Sequence, residues 1–152
     1  MKQIQHLMWI GLLLSVMVLT AQAADQQPII ERITSADMKA LLQAEGLVGV
    51  TIDEDDDLLV KMNGFTIIVF VRGNDYRMIQ YRFFITESSA TVDDMNRWNA
   101  EKLFARAYID SDGDPVLEMD VDLEGGVTIA RIKDSIRTFS QLQIAFLKAF
   151  SA

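Results

Sequence analysis

Leu58-Leu59-Val60-Lys61-Met62-Asn63-Gly64-Phe65-Thr66-Ile67-Ile68-Val69-Phe70-Val71-Arg72 holds two strand-like runs on either side of a turn signal. Leu58, Val60 and Met62 alternate with their neighbours, the period of a strand with one buried face. Asn63-Gly64 readily takes the positive φ angles of a two-residue hairpin turn, so the chain must reverse there into a second strand. That second strand, Phe65 to Arg72, is apolar on both faces. It therefore reads as central, with something packed on each side or with an added interface.

Working outward, Gly73-Asn74-Asp75 supplies another turn, and Tyr76 to Thr86 forms a strand whose Ile79, Tyr81, Phe83 and Ile85 share a face. Upstream, Val48, Val50 and Ile52 alternate as a strand that runs into the acidic turn Asp53 to Asp57. Four strands in meander order follow. Before them, Ser35 to Gly46 predicts a short amphipathic helix, capped by Thr34 or Ser35, with Met38, Leu41 and Leu42 on one face. After them, Thr91-Val92-Asp93-Asp94 opens a second helix, with carboxylates against the positive end of its dipole and Met95, Trp98 and Asn99 on one face.

A strand through Leu103, Ala105, Ala107 and Ile109 comes next, then the turn Asp110 to Pro115. Leu117, Met119, Val121 and Leu123 then alternate with Glu118, Asp120, Asp122 and Glu124, which predicts a strand with its acids on a solvent face. Gly125-Gly126 ends it. Thr128 caps a last helix with Ile129, Ile132, Ile136, Phe139, Leu142, Phe146 and Phe150 at three- and four-residue spacing. The order is α-β-β-β-β-α-β-β-α, an α+β domain with an antiparallel sheet and helices packed on it.

The chain has 152 residues, 14 Lys and Arg against 22 Asp and Glu, one His and no Cys. A formal net charge of -8 opposes a phosphate-binding surface, so nucleic acid is not an expected partner. Lys2, the uncharged run from Leu7 to Leu19, and Ala21-Gln22-Ala23 together read as a signal peptide spanning residues 1–23, too short in its strongly apolar part for a spanning helix. Residues 24–32 read as a flexible lead and 33–152 as the domain. The expected location is the periplasm or the exterior, without stable membrane insertion once the leader is cleaved.

Cleavage would take away His6, leaving neither imidazole nor thiol. That closes the Ser-His, Cys-His and dithiol chemistries and the commonest zinc and copper ligand sets, and no disulfide or cofactor is expected. Asp110-Ser111-Asp112-Gly113-Asp114 resembles a calcium loop in its alternate carboxylates. It fails in detail, because Pro115 stands where the loop needs Gly and Val121 where it needs a bidentate Glu. Asp53 to Asp57 form an acidic run, and neighbouring exposed charges about 6 Å apart repel by only roughly 0.7 kcal/mol in water, so it is tolerable as a solvated edge. A calcium or small-ligand sensor built on these turns stands as the alternative to a binding module. No catalytic residue is assigned.

Most of the aromatic and aliphatic excess belongs to a core, but the C-terminal half of the last helix is apolar on more than one face. Trp98, Phe139, Leu142, Phe146, Leu147 and Phe150 are the candidate partner-binding residues, for a protein or peptide partner or for a second copy in a homodimer.

Val92-Asp93-Asp94-Met95-Asn96-Arg97-Trp98-Asn99-Ala100-Glu101-Lys102-Leu103-Phe104-Ala105-Arg106-Ala107-Tyr108, followed by Asp112-Gly113-Asp114-Pro115-Val116-Leu117-Glu118-Met119-Asp120, resembles the YbjN family of bacterial sensory transduction regulators. The resemblance extends more loosely from Ile33 to about Phe150. It implies a fold similar to type III secretion chaperones, and binding rather than catalysis. In the characteristic Asn96 to Asn99 stretch, Trp98 is expected to anchor its helix on the sheet while Asn96 or Asn99 caps backbone groups.

Overall fold

The computed structural model describes residues 28–73 and 75–151, so the expected leader, the start of the lead, and Asn74 lie outside the described residues. Eleven elements follow in order: β1 (Ile29–Ile30), α1 (Ser35–Ala44), β2 (Thr51–Ile52), β3 (Leu58–Met62), β4 (Phe65–Arg72), β5 (Met78–Phe84), α2 (Val92–Glu101), β6 (Arg106–Ile109), β7 (Pro115–Asp122), β8 (Val127–Thr128) and α3 (Ile129–Phe150). The fold is α+β. Six strands form one antiparallel sheet in the order β2-β3-β4-β5-β7-β6.

Local chemistry sets the chain reversals and helix starts. Asn63 and Gly64 both take positive φ, 51° and 85°, so the β3–β4 hairpin closes with Met62 opposite Phe65. The Asn63 amide then donates to Gln143 Oε1 at 3.0 Å and to the Ser140 carbonyl at 3.1 Å, tying the turn to α3. Thr34, Thr91 and Thr128 cap α1, α2 and α3 through their hydroxyls, and Thr91 forms a reciprocal capping box with Asp94.

The core lies between one face of the sheet and the helices α1 and α3. Met38 and Leu42 of α1, and Ile132, Ile136, Phe139 and Phe146 of α3, meet Val60, Val69, Tyr81 and Met119 from the strands. Phe139 stacks on Tyr81 at 5.3 Å between ring centroids, and the Tyr81 hydroxyl shares a hydrogen bond with Ser135 Oγ at 3.0 Å. Burial pushes the Tyr81 phenol well above its ordinary range.

Four local expectations are corrected. The strand read over Val48 to Ile52 is reduced to Thr51–Ile52, because the chain kinks at Gly49 (φ 67°) and leaves Val48 in solvent. The strand read from Leu103 begins only at Arg106, since Phe104 takes φ 74° and breaks the extended run. Glu118, placed on a solvent face by alternation, is 3% exposed. The last part of the lead is ordered: Ile29 and Ile30 pair with Thr128 and Val127 in a two-stranded ribbon beside the main sheet.

Candidate partner-binding surface

The six residues singled out from sequence separate into two groups. Phe139 and Phe146 are fully buried and cannot meet a partner in this structure. Leu142, Leu147 and Phe150 are half-buried against the core, and Trp98 is 5% exposed. Trp98 sits edge-on to Phe146 at 5.2 Å and 5.8 Å from Phe150, so these aromatics bind α2 to the end of α3 rather than form an outward stripe. The indole Nε1 is buried there with no hydrogen-bond partner among the described residues. Beside this cluster lies an open hollow of about 650 Å³, where Trp98 and Phe150 are joined by Arg97, Lys102 and Lys148.

Asn99 has a different task from Trp98. Its side-chain amide bridges the backbone of Ala107 on β6, the edge strand of the sheet. The expected backbone cap in this stretch is thus Asn99, whereas the Trp98 ring packs on the end of α3, on Phe146 and Phe150, where an anchor on the sheet was expected.

The acidic turns share one design. Asp53 Oδ1 accepts the N–H groups of Asp55 and Asp57, and Asp110 Oδ1 accepts those of Asp112 and Asp114. The fourth position takes positive φ in both, at Asp56 (65°) and Gly113 (87°). The leading carboxylate of each turn thus holds its own loop. Among the described residues, no three His, Cys, Asp or Glu side chains are grouped to hold a metal ion.

A larger feature escaped the sequence reading. The helices cover one face of the sheet, and the other face is roofed by its own side chains. Arg82 of β5 and Arg106 of β6 each stand opposite Glu118 of β7 or its register partners, one strand on either side. Arg82 Nε donates to Glu118 Oε1 at 2.5 Å, Arg106 Nη2 donates to Oε2 at 2.5 Å, and the Tyr108 hydroxyl donates to Oε1 at 3.0 Å. Arg106 also pairs with Asp120, whose other oxygen accepts from Gln80 at 2.8 Å. Both oxygens of the buried carboxylate are thus engaged, which is the condition for burying a charge without a large penalty.

The same network sets the titration of its members: the hydrogen bond to Asp120 raises the Arg106 guanidinium, and burial followed by the bond to Glu118 raises the Tyr108 phenol. Arg82 also leans over Phe70 of β4, with Arg72 stacked on the same ring at 3.8 Å. A stripe of arginine, aromatic and carboxylate side chains therefore crosses from β4 to β6. Just ahead of Arg106, Leu103 and Phe104 project into solvent, 73% and 71% exposed.

The signal for the stripe was present in the alternation. Arg72, Arg82 and Arg106 each occupy the position opposite in parity to the core-facing residues of their strands, as Glu118 and Asp120 do. Only strand order brings those positions side by side.

One antiparallel sheet with a helix-covered face and an open, charge-bearing face defines a small α+β domain. The chain belongs to the YbjN family, whose model, described as "Putative bacterial sensory transduction regulator", matches residues 34–152. A solved structure similar in fold is the crystal structure of YbjN, described as "a putative transcription regulator from E. coli". It has 16% sequence identity and a TM-score of 0.61 over 73% of this chain and 85% of that one. No curated protein matches the chain.

Proposed function

We propose that the chain is an exported, non-catalytic binding module of the bacterial envelope. It recognises a protein or peptide partner through the open sheet face and the adjoining Leu103-Phe104 loop. One observation carries the reading: the sheet keeps a whole face free of helices, and that face carries Arg, Tyr and Phe, residue types that dominate binding hot spots. Phe104 strengthens it. A bulky aromatic with φ 74° is held in a strained conformation while contacting solvent over most of its surface, an arrangement typical of recognition sites. The family description as a sensory transduction regulator agrees with a binding role. The net charge of -8 argues against reading DNA directly. Export is supported by the leader-like composition of residues 1–23.

The test is a photoreactive residue placed at Phe84 or Phe104, irradiated in living cells, with adducts identified by mass spectrometry. A discrete adduct from these positions and none from Lys39 on α1 is expected. Equal labelling at all three positions contradicts the reading, and recovery of the chain with its leader intact in the cytoplasmic fraction contradicts export.

A further inference from the structure

We propose that Asn63 is a covalent modification site: its side-chain amide is lost as ammonia to attack by the Gly64 backbone nitrogen, and the acid left behind releases the β3–β4 turn from α3.

The reaction needs a backbone nitrogen that can reach the Asn63 Cγ. Glycine is the least obstructed residue that can follow an asparagine, because no Cβ crowds the approach. Gly64 is also unscreened: a Cβ built on it would meet nothing within 4 Å, and its N–H makes no hydrogen bond among the described residues. Other candidates are held. Asp112 precedes Gly113, whose N–H donates to the Asp110 carbonyl at 3.2 Å, and Asn96 and Asn99 precede N–H groups inside α2. At Asn63 the Gly64 nitrogen bonds to Cγ and gives its proton to solvent; the Cγ–Nδ2 bond breaks, and Nδ2 departs as ammonia with a proton from water. Water then opens the five-membered imide at either carbonyl, which leaves aspartate or isoaspartate in the chain.

The fold brakes this reaction. Nδ2, the leaving group, donates to the Ser140 carbonyl and Oγ, both at 3.1 Å, and to Gln143 Oε1 at 3.0 Å, so Cγ cannot swing toward Gly64 until those contacts part. The same contacts make the product disruptive. A carboxylate has no proton to offer the Ser140 carbonyl or Gln143 Oε1. Gln143 is fully buried, and its Nε2 donates to the Met62 carbonyl at 3.4 Å. Turning its amide over would serve the new carboxylate but set Oε1 against that carbonyl, so an acceptor faces an acceptor in either orientation. Isoaspartate also adds a backbone carbon to a two-residue turn whose register places Met62 opposite Phe65.

The experiment incubates the purified protein for weeks, folded and in urea, and follows it by peptide mass mapping with detection of isoaspartate. The mass gain of an amide-to-acid conversion is expected first in the peptide holding Asn63, and faster in mild alkali than at neutrality. It should be about tenfold slower in the folded chain than in urea, and Ser140→Ala, which takes away one acceptor, should speed the folded reaction about threefold. Asn63→Asp keeps a residue type that tolerates positive φ and should melt lower than the parent. No conversion in the folded chain, or conversion first at Asn96, Asn99 or Asp112, overturns the site. A folded rate equal to or above that in urea, or an unchanged rate in Ser140→Ala, overturns the brake, and unchanged melting of Asn63→Asp overturns the release from α3.

Discussion

The side-chain amide of Asn99 donates to the Ala107 carbonyl at 2.8 Å and accepts from the Ala107 N–H at 2.7 Å, so one residue of α2 satisfies both outward-facing backbone groups of an edge-strand residue. An open strand edge invites pairing with another chain, and here a helix closes it. Substituting Asn99→Asp removes the donor and sets a carboxylate against the Ala107 carbonyl. We expect a loss of about 1–3 kcal/mol in urea unfolding, faster amide exchange at Ala107, and more aggregation on heating. Unchanged exchange at Ala107 would show that the bridge does not protect the edge.

Gly126 marks where the N-terminal ribbon meets the body of the protein. A Cβ at this position would lie 2.2 Å from Ile29 Cγ2, and the residue holds φ 89°. Gly126→Ala is therefore expected to detach β1, seen as new cleavage by a limiting protease between Pro28 and Arg32, with a loss of about 1–2 kcal/mol for the left-handed backbone. Ile29→Ala in the same chain should relieve the contact but not the backbone term, so it restores part of the protease resistance. Full resistance in the single variant contradicts the close approach.

Phe104 separates stability from recognition. Glycine adopts φ 74° without the Cβ penalty, so Phe104→Gly should raise stability by up to about 1 kcal/mol while abolishing adducts on the open face. A variant that gains stability and keeps its partner would assign Phe104 no part in binding.

Asp57 gives a pH signature. Burial first, and then the neighbouring Asp53 charge, raise its carboxyl above the ordinary value of 3.8, against a smaller opposing pull from Arg72. A carboxyl with a raised pKa in the folded state disfavours folding when ionised. The penalty is complete above the folded-state pKa and disappears as pH falls below 3.8. Asp57→Asn should therefore melt higher than the parent at pH 7, with the difference shrinking toward zero on acidification through that range. A difference that grows in acid would reverse the sign of the effect.

Hairpin turns and helix starts were legible because their causes are local. Asn63-Gly64 needs only its own φ preferences, and Thr34, Thr91 and Thr128 reach N–H groups three residues on. The core faces were legible because side chains repeat every second residue in strands and every third or fourth in helices. Glu118 was misread for a related reason. Alternation states which face a side chain points to, and whether that face is wet depends on strands far away in sequence. Leu142 and Phe150 were read as a partner surface because an apolar helix face looks the same whether a sheet or another molecule covers it.

From local pattern the sequence yields the α+β class, the order of three helices and six of the eight strands, the turns and caps, and the net charge of -8, but not the β1–β8 ribbon. Tertiary structure alone decided that β7 lies between β5 and β6, and so that Glu118 falls between Arg82 and Arg106 while Ile29 closes on Gly126. The physical reason is range: torsional preference and periodicity act over a few residues, whereas desolvation of a carboxylate is set by whichever groups the folded chain brings within hydrogen-bonding distance.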